Sequence, residues 1–182
     1  MEQIERARDL ACRLLADSIP QRWSHSQGVA HKAESIAHLV GQDAPALVSA
    51  AWLHDIGYAP DLSVTGMHQL DGARYLRDVV QADALVCRLV AHHSCAFIEA
   101  RNRGLSEQLA SEFPAVEGLI SAAITYADMT TTPVGEPTDV EQRLTEILAR
   151  YGDGDLVAES IREASPLIVD SVRIITDALT DC

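Results

Sequence analysis

Seven histidines and a few aspartates set among apolar residues carry the chemistry available to this chain. Stepping three or four residues at a time from His25 passes through Val29, Ala33, Ile36, Ala37 and Val40, so His25 shares an apolar helical stripe. His31 and His38 fall about 240° and 220° round the same helix, toward solvent. An inward histidine is either a hydrogen-bonded core residue or a metal ligand, and spacing alone leaves both readings open. His54 and Asp55 close the apolar segment SAAWLHDIGY. Burying that carboxylate is costly unless a cation or donors compensate; the alternative is a polar turn with Asp55 in water. Asp128 follows Ile120 and Ile124 at eight and four residues, on one stripe. Lys32 is the sole lysine, so a metal ion is the economical counter-charge for an inward Asp128. A helix-end aspartate facing water is the other reading. His68 opens a helix and His92 and His93 end another at LVAHHS. His93 lines up with Val86, Leu89 and Val90, and His92 with Leu85 and Leu89, so periodicity does not choose between them.

The elements that must position these side chains all read as helices. The spacing predicts helices over residues 2–17, 21–41, 43–57, 67–81 and 83–94. Asp43 and Asp83 stand as N-caps, Pro45 falls in a first turn, and Gly41 stands as a C-terminal cap. Residues 95–114 are less regular, with a short helix over 105–112. A helix over 115–129, a loop over 130–137 and helices over 140–151 and from 155 onward complete the chain, the last kinked at Pro166. The expectation is one all-α, single-domain helical bundle over residues 1–182. Its motif-bearing core spans about 22–129, and the C-terminal helices of 139–182 pack on it. Leu156, Val157, Ile161, Ile168, Val172 and Ile175 suit packing on that core or on a second subunit, so a homodimer is compatible with the pattern.

The chain has 182 residues, 47% of them hydrophobic and 4% aromatic, which describes an ordinary globular core. No apolar run approaches the ~20 residues of a membrane span, and the N-terminus MEQIERARDL is charged throughout. A cytoplasmic protein without a membrane partner is expected. Fourteen Lys and Arg against 27 Asp and Glu give a net charge of -13. A surface so acidic repels phosphate backbones, so nucleic acid is not an expected partner. Cys12, Cys87, Cys95 and Cys182 form no CxxC pair and read as reduced thiols.

Taken in order, RWSHSQGVA, AAWLHDIGY, HQLDGARYL, LVAHHS and ITYADM resemble the motifs of the HD-domain superfamily over about residues 22–129. The resemblance implies a helical bundle in which His25, His54, Asp55 and Asp128 ligate one divalent metal. It also implies that Asp55 bridges to a second ion held by His68 and one of His92 and His93. The motif order is similar to that of the two-metal bacterial HD hydrolases that cleave diadenosine tetraphosphate. One or two ions of Fe, Mn, Co, Ni or Zn suit such a mixed imidazole and carboxylate set. The implied activity is hydrolysis of a phosphate ester or anhydride of a nucleotide or related small molecule through a metal-activated hydroxide. His54, Asp55 and Asp128 are its implied catalytic residues. Arg22, one turn before His25, and Arg101 and Arg103 in EARNRGL are candidate substrate contacts, with solvated surface arginine as the other reading. Thr130, Thr131 and Thr132 offer hydroxyls to a substrate or end their helix. Two alternatives share the ligand set: an HD-type diiron oxygenase and a non-catalytic, metal-stabilised regulatory module.

Overall fold

A computed structural model describes residues 1–152 and 154–180. Cys182 lies outside the described residues; Cys12, Cys87 and Cys95 are free thiols. The architecture is all-α. In chain order the helices are α1 Glu2–Leu15, α2 Pro20–Ile36, α3 Ala44–Leu53, α4 His68–Tyr75, α5 Ala84–His92, α6 Ala96–Asn102, α7 Ser106–Glu112, α8 Leu119–Met129, α9 Val140–Tyr151 and α10 Leu156–Thr180. Among the described residues no helix is long and apolar enough to cross a membrane.

The centre of the bundle is α3. Every residue from Ala46 to Leu53 is buried, which a helix achieves only with neighbours on all sides. Those neighbours are α1, α2, α5 and α8. A second apolar cluster joins Ile98 of α6 and Met129 of α8 to Leu144 and Ile147 of α9 and to Ala164 and Ile168 of α10. The two C-terminal helices therefore close over the end of α8 where Asp128 lies.

Several boundaries depart from the spacing-based expectation, each for a local reason. The second helix stops at Ile36 and tightens into a 3-10 stretch, Ala37–Asp43, in which Gly41 takes φ 57°. Helix α3 stops at Leu53, so His54 and Asp55 occupy a turn before the 3-10 segment Ile56–Tyr58. Asp43 stands at the N-cap of α3 without a side-chain cap bond, whereas the Asp83 carboxylate accepts from the Leu85 amide at 2.8 Å. Helix α4 widens into a π turn, Leu76–Val80. Gly118, at φ 85°, delays α8 to Leu119. Helix α6 fills a stretch expected to be irregular, and α10 runs through Pro166 as one helix.

Two backbone approaches bring the site together. A Cβ on Gly57 would lie 1.9 Å from the His68 carbonyl oxygen, so only glycine lets the start of α4 sit against the turn that carries Asp55. A Cβ on Gly28 would lie 2.3 Å from the Gly135 carbonyl oxygen, where α2 meets the loop after α8. Neither neighbour is a flexible side chain that could swing aside. Gly57→Ala is expected to cost about 2–3 kcal/mol, in the range of overpacked cores, read as a lower urea midpoint with an unchanged m-value.

Candidate metal centre

Five elements deliver six ionisable side chains to one buried spot. His25 comes from the middle of α2, His54 and Asp55 from the turn after α3, and His68 from the first position of α4. His93 follows α5, and Asp128 stands in the last turn of α8. His25, His54, Asp55, His93 and Asp128 are buried and His68 nearly so. They form two triads, His25–His54–Asp128 and Asp55–His68–His93, whose ligand atoms lie within 4.8 Å of one another inside each triad. Asp55 faces both: its Oδ2 is 3.5 Å from His54 Nε2 and its Oδ1 is 3.3 Å from His68 Nε2.

Backbone carbonyls fix which ring nitrogen faces inward. His25 Nδ1 donates to the Thr132 carbonyl at 2.9 Å, His54 Nδ1 to Ala51 at 2.8 Å and His93 Nδ1 to Val90 at 2.7 Å. A carbonyl can only accept, so in each neutral ring Nε2 presents a lone pair. The lone pairs of His25 and His54 point at carboxylate oxygens. His25 Nε2 is 3.0 Å from Asp128 Oδ1, and His54 Nε2 is buried without a hydrogen-bond partner, 3.9 Å from the same oxygen. His93 Nε2 lies 3.2 Å from His68 Nε2. Burial holds both of these rings below the ordinary imidazole range, favouring their neutral, ligating form. Acceptors gathered in this way around an unpartnered nitrogen fit a cation, and the two triads could each hold a metal ion.

The carboxylates are held ionised. Burial alone would push Asp55 up, but Arg22, followed by the surrounding imidazoles, holds it well below the usual carboxylate range. Burial likewise works against Asp128, and the surrounding imidazoles of His25, His54 and His93 together hold it below the usual carboxylate range. Arg22 Nη1 donates to Asp55 Oδ2 at 2.7 Å, and its guanidinium lies 4.0 Å over the Tyr58 ring. Tyr58 in turn stacks on His68, with ring centroids 4.0 Å apart. The Ser94 hydroxyl donates to Asp128 Oδ2. Ser94 and Cys95 adopt φ of 50° and 61°, a left-handed pair costly for non-glycine residues, and together they turn the chain after His93 into the site.

A family model described as HD domain matches residues 22–130, which contain all six of these side chains. The chain belongs to the HD-domain family. Such domains are typically metal-dependent hydrolases. Similar curated proteins include Ribonuclease Y of Thermoanaerobacter pseudethanolicus, 40% identical over 70 residues, that of Rubrobacter xylanophilus, 36% identical over 70, and that of Mesoplasma florum, 38% identical over 69. Each match covers 38% of this chain and 14% of the relative, so the chain spans about a seventh of the length of these proteins. No solved structure matches the chain.

Not every candidate residue reaches this HD centre. His92 stays apart, its Nε2 donating to the Phe113 carbonyl at 2.7 Å. The helix ends between the two histidines, and that break turns only His93 inward. Arg101 pairs with Glu163 at the surface and Arg103 with Glu99 at 2.7 Å, and neither lines the cleft over the metal centre. The Thr130 and Thr131 hydroxyls bond back to the Tyr126 and Ala127 carbonyls, both at 2.7 Å, and Thr132 contributes its carbonyl. Burial pushes the Cys95 thiol up to about 11, which keeps it protonated. Lining the cleft instead are Tyr58, Arg143, Arg150 and Tyr151, which the sequence reading passed over. One signal was available for Arg143, which shares the apolar register of Val140 and Ile147 on α9. Ser94→Ala is expected to weaken divalent-metal binding by about 10-fold or more, as loss of a partner that orients a ligand does. Titration with Mn²⁺ or Co²⁺ reads it, with circular dichroism unchanged.

Proposed function

We propose that this HD domain is a metal-dependent phosphohydrolase acting on a phosphate ester or anhydride of a nucleotide or related small molecule. The observation that carries the reading is Asp55, whose two oxygens face His54 in one triad and His68 in the other. A single carboxylate spanning two ligand groups is suited to paired ions. In this reading His25, His54 and Asp128 hold one ion and His68 and His93 the other, with Asp55 between them. Fe, Mn, Co, Ni or Zn suits the donor set.

When bound, such ions acidify water and polarise a phosphoryl oxygen. The chain's own groups do the remaining work. The carbonyls of Thr132, Ala51 and Val90 keep each imidazole in its ligating tautomer. Arg22 holds Asp55 in register and keeps a fixed positive charge at the cleft, where a phosphate oxygen would be received. Tyr58 restrains both Arg22 and His68 by stacking, which limits their reorganisation.

A second reading takes RNA as the substrate, because the matching relatives are named ribonucleases. The expectation that nucleic acid is excluded rests on net charge alone, and those names give it no support. Hydrolysis of a dinucleoside polyphosphate, a nucleotide, p-nitrophenyl phosphate and a short oligoribonucleotide, each with Mn²⁺, Co²⁺ or anaerobic Fe²⁺, separates the two. The expected result is turnover of small phosphate compounds, with His54→Ala and Asp55→Ala reducing it at least about 1,000-fold while the helical signal stays intact. Activity surviving either substitution overturns the assignment of the centre, and turnover of the oligoribonucleotide alone selects the second reading.

A further inference from the structure

The cleft over the metal centre carries arginines beside the candidate metal ligands, among apolar groups and one further acid, Glu99. Asp55, His68, His93 and Asp128 line it together with Arg22, Arg143 and Arg150, around a cavity of about 70 Å³. A smaller recess beside His25 is lined by these same three arginines. The chain carries only 14 Lys and Arg against 27 acids, so three cations on one cleft are a concentration that net charge does not explain.

Arg143 is the unusual member. Its side chain is 4% exposed, yet its Nε is buried with no acceptor. Glu146, one turn along α9, takes its Nη1 and also binds Arg150, whose Nε donates at 2.9 Å. One carboxylate thus serves two guanidiniums and leaves the group with a net positive charge. A buried, incompletely paired arginine costs stability, and an apolar residue in that register would not. The pair is held in place in advance, which favours an incoming anion because little side-chain freedom remains to be lost.

We propose that Arg143 and Arg150 form a second anion subsite, which receives a phosphate group other than the one at the metal ligands. Resting on the phosphohydrolase reading, this narrows the substrate to a phosphoanhydride or bisphosphate, in preference to a compound with a single phosphate. Arg143 lines the cleft and keeps an unpartnered Nε–H just beneath it, and Arg150 supplies the accessible guanidinium at 34% exposure. The fork geometry of arginine matches a phosphate in two-point contact, which lysine does not.

Calorimetric titration of the full chain as purified, with methylenediphosphonate and with methylphosphonate, tests this without requiring turnover. Arg150→Ala and Arg143→Lys are each expected to weaken diphosphonate binding about 10-fold, the loss of roughly one charge-assisted contact. Methylphosphonate affinity and metal content should stay unchanged. Wild-type diphosphonate affinity in both variants overturns the subsite, as does an equal loss for both ligands. If Arg143→Lys does not fold, the more exposed Arg150→Ala decides alone. A chain that hydrolyses no phosphate compound yet shows the selective loss keeps the subsite and loses only the enzymatic reading.

Discussion

Two buried carboxylates, Asp55 and Asp128, sit among imidazoles: the Nε2 lone pairs of His25 and His54 point at them, and His68 Nε2 lies 3.3 Å from Asp55. Most of the structure can be read as what that arrangement requires. Ionised carboxylates are expensive to bury, and acceptor facing acceptor adds repulsion. Arg22 offsets part of the charge on Asp55, and Ser94 and His25 contact Asp128. Those partners leave His54 Nε2 without a donor. A bound cation would turn each of these opposed contacts into an attraction.

The bundle supplies rigidity where the chemistry needs it. Three of the four inward histidines are tied by Nδ1 to backbone carbonyls, so their orientation is set by the course of the main chain. Two of those carbonyls, Ala51 and Val90, lie three residues before the histidine they hold. Each of these rings thus caps the end of its own helix. His25 differs, reaching 107 residues along the sequence to Thr132. The close meeting of Gly28 with Gly135 lets that loop approach α2. Packing of glycine backbone and orientation of the His25 imidazole are here the same contact.

Charge is organised on two length scales. Over the whole chain the excess of acidic residues is large, but its effect beyond about 8–10 Å is screened at physiological salt. Inside the cleft, Arg22, Arg143 and Arg150 face buried groups at short range, where screening is weak. The sign of the net charge therefore says little about what this cleft receives. That is why an argument from composition against phosphate-rich partners is weaker than one from local geometry.

Although a water-facing Asp128 stayed open until packing buried it, the sequence carries the helical class and the inward position of His25, because a 3.6-residue period places side chains relative to an apolar stripe whatever the partner helices do. It also marked His54, Asp55 and His68, through their order and apolar flanks. Three things needed the tertiary structure. The choice of His93 over His92 depends on a helix end and a left-handed turn at Ser94 and Cys95, and both residues fit the same stripe. Helix α6 starts directly after the left-handed pair Ser94 and Cys95 and has no side-chain cap to announce it. Of the cleft's arginines, Arg22 is marked by its place one turn before His25, but Arg143 and Arg150 come from α9 and not from the stretch carrying Arg101 and Arg103. Periodicity fixes how a residue sits on its own helix; which helix end closes over a site set by distant residues is decided by packing, here by the apolar cluster that binds α9 and α10 to the end of α8.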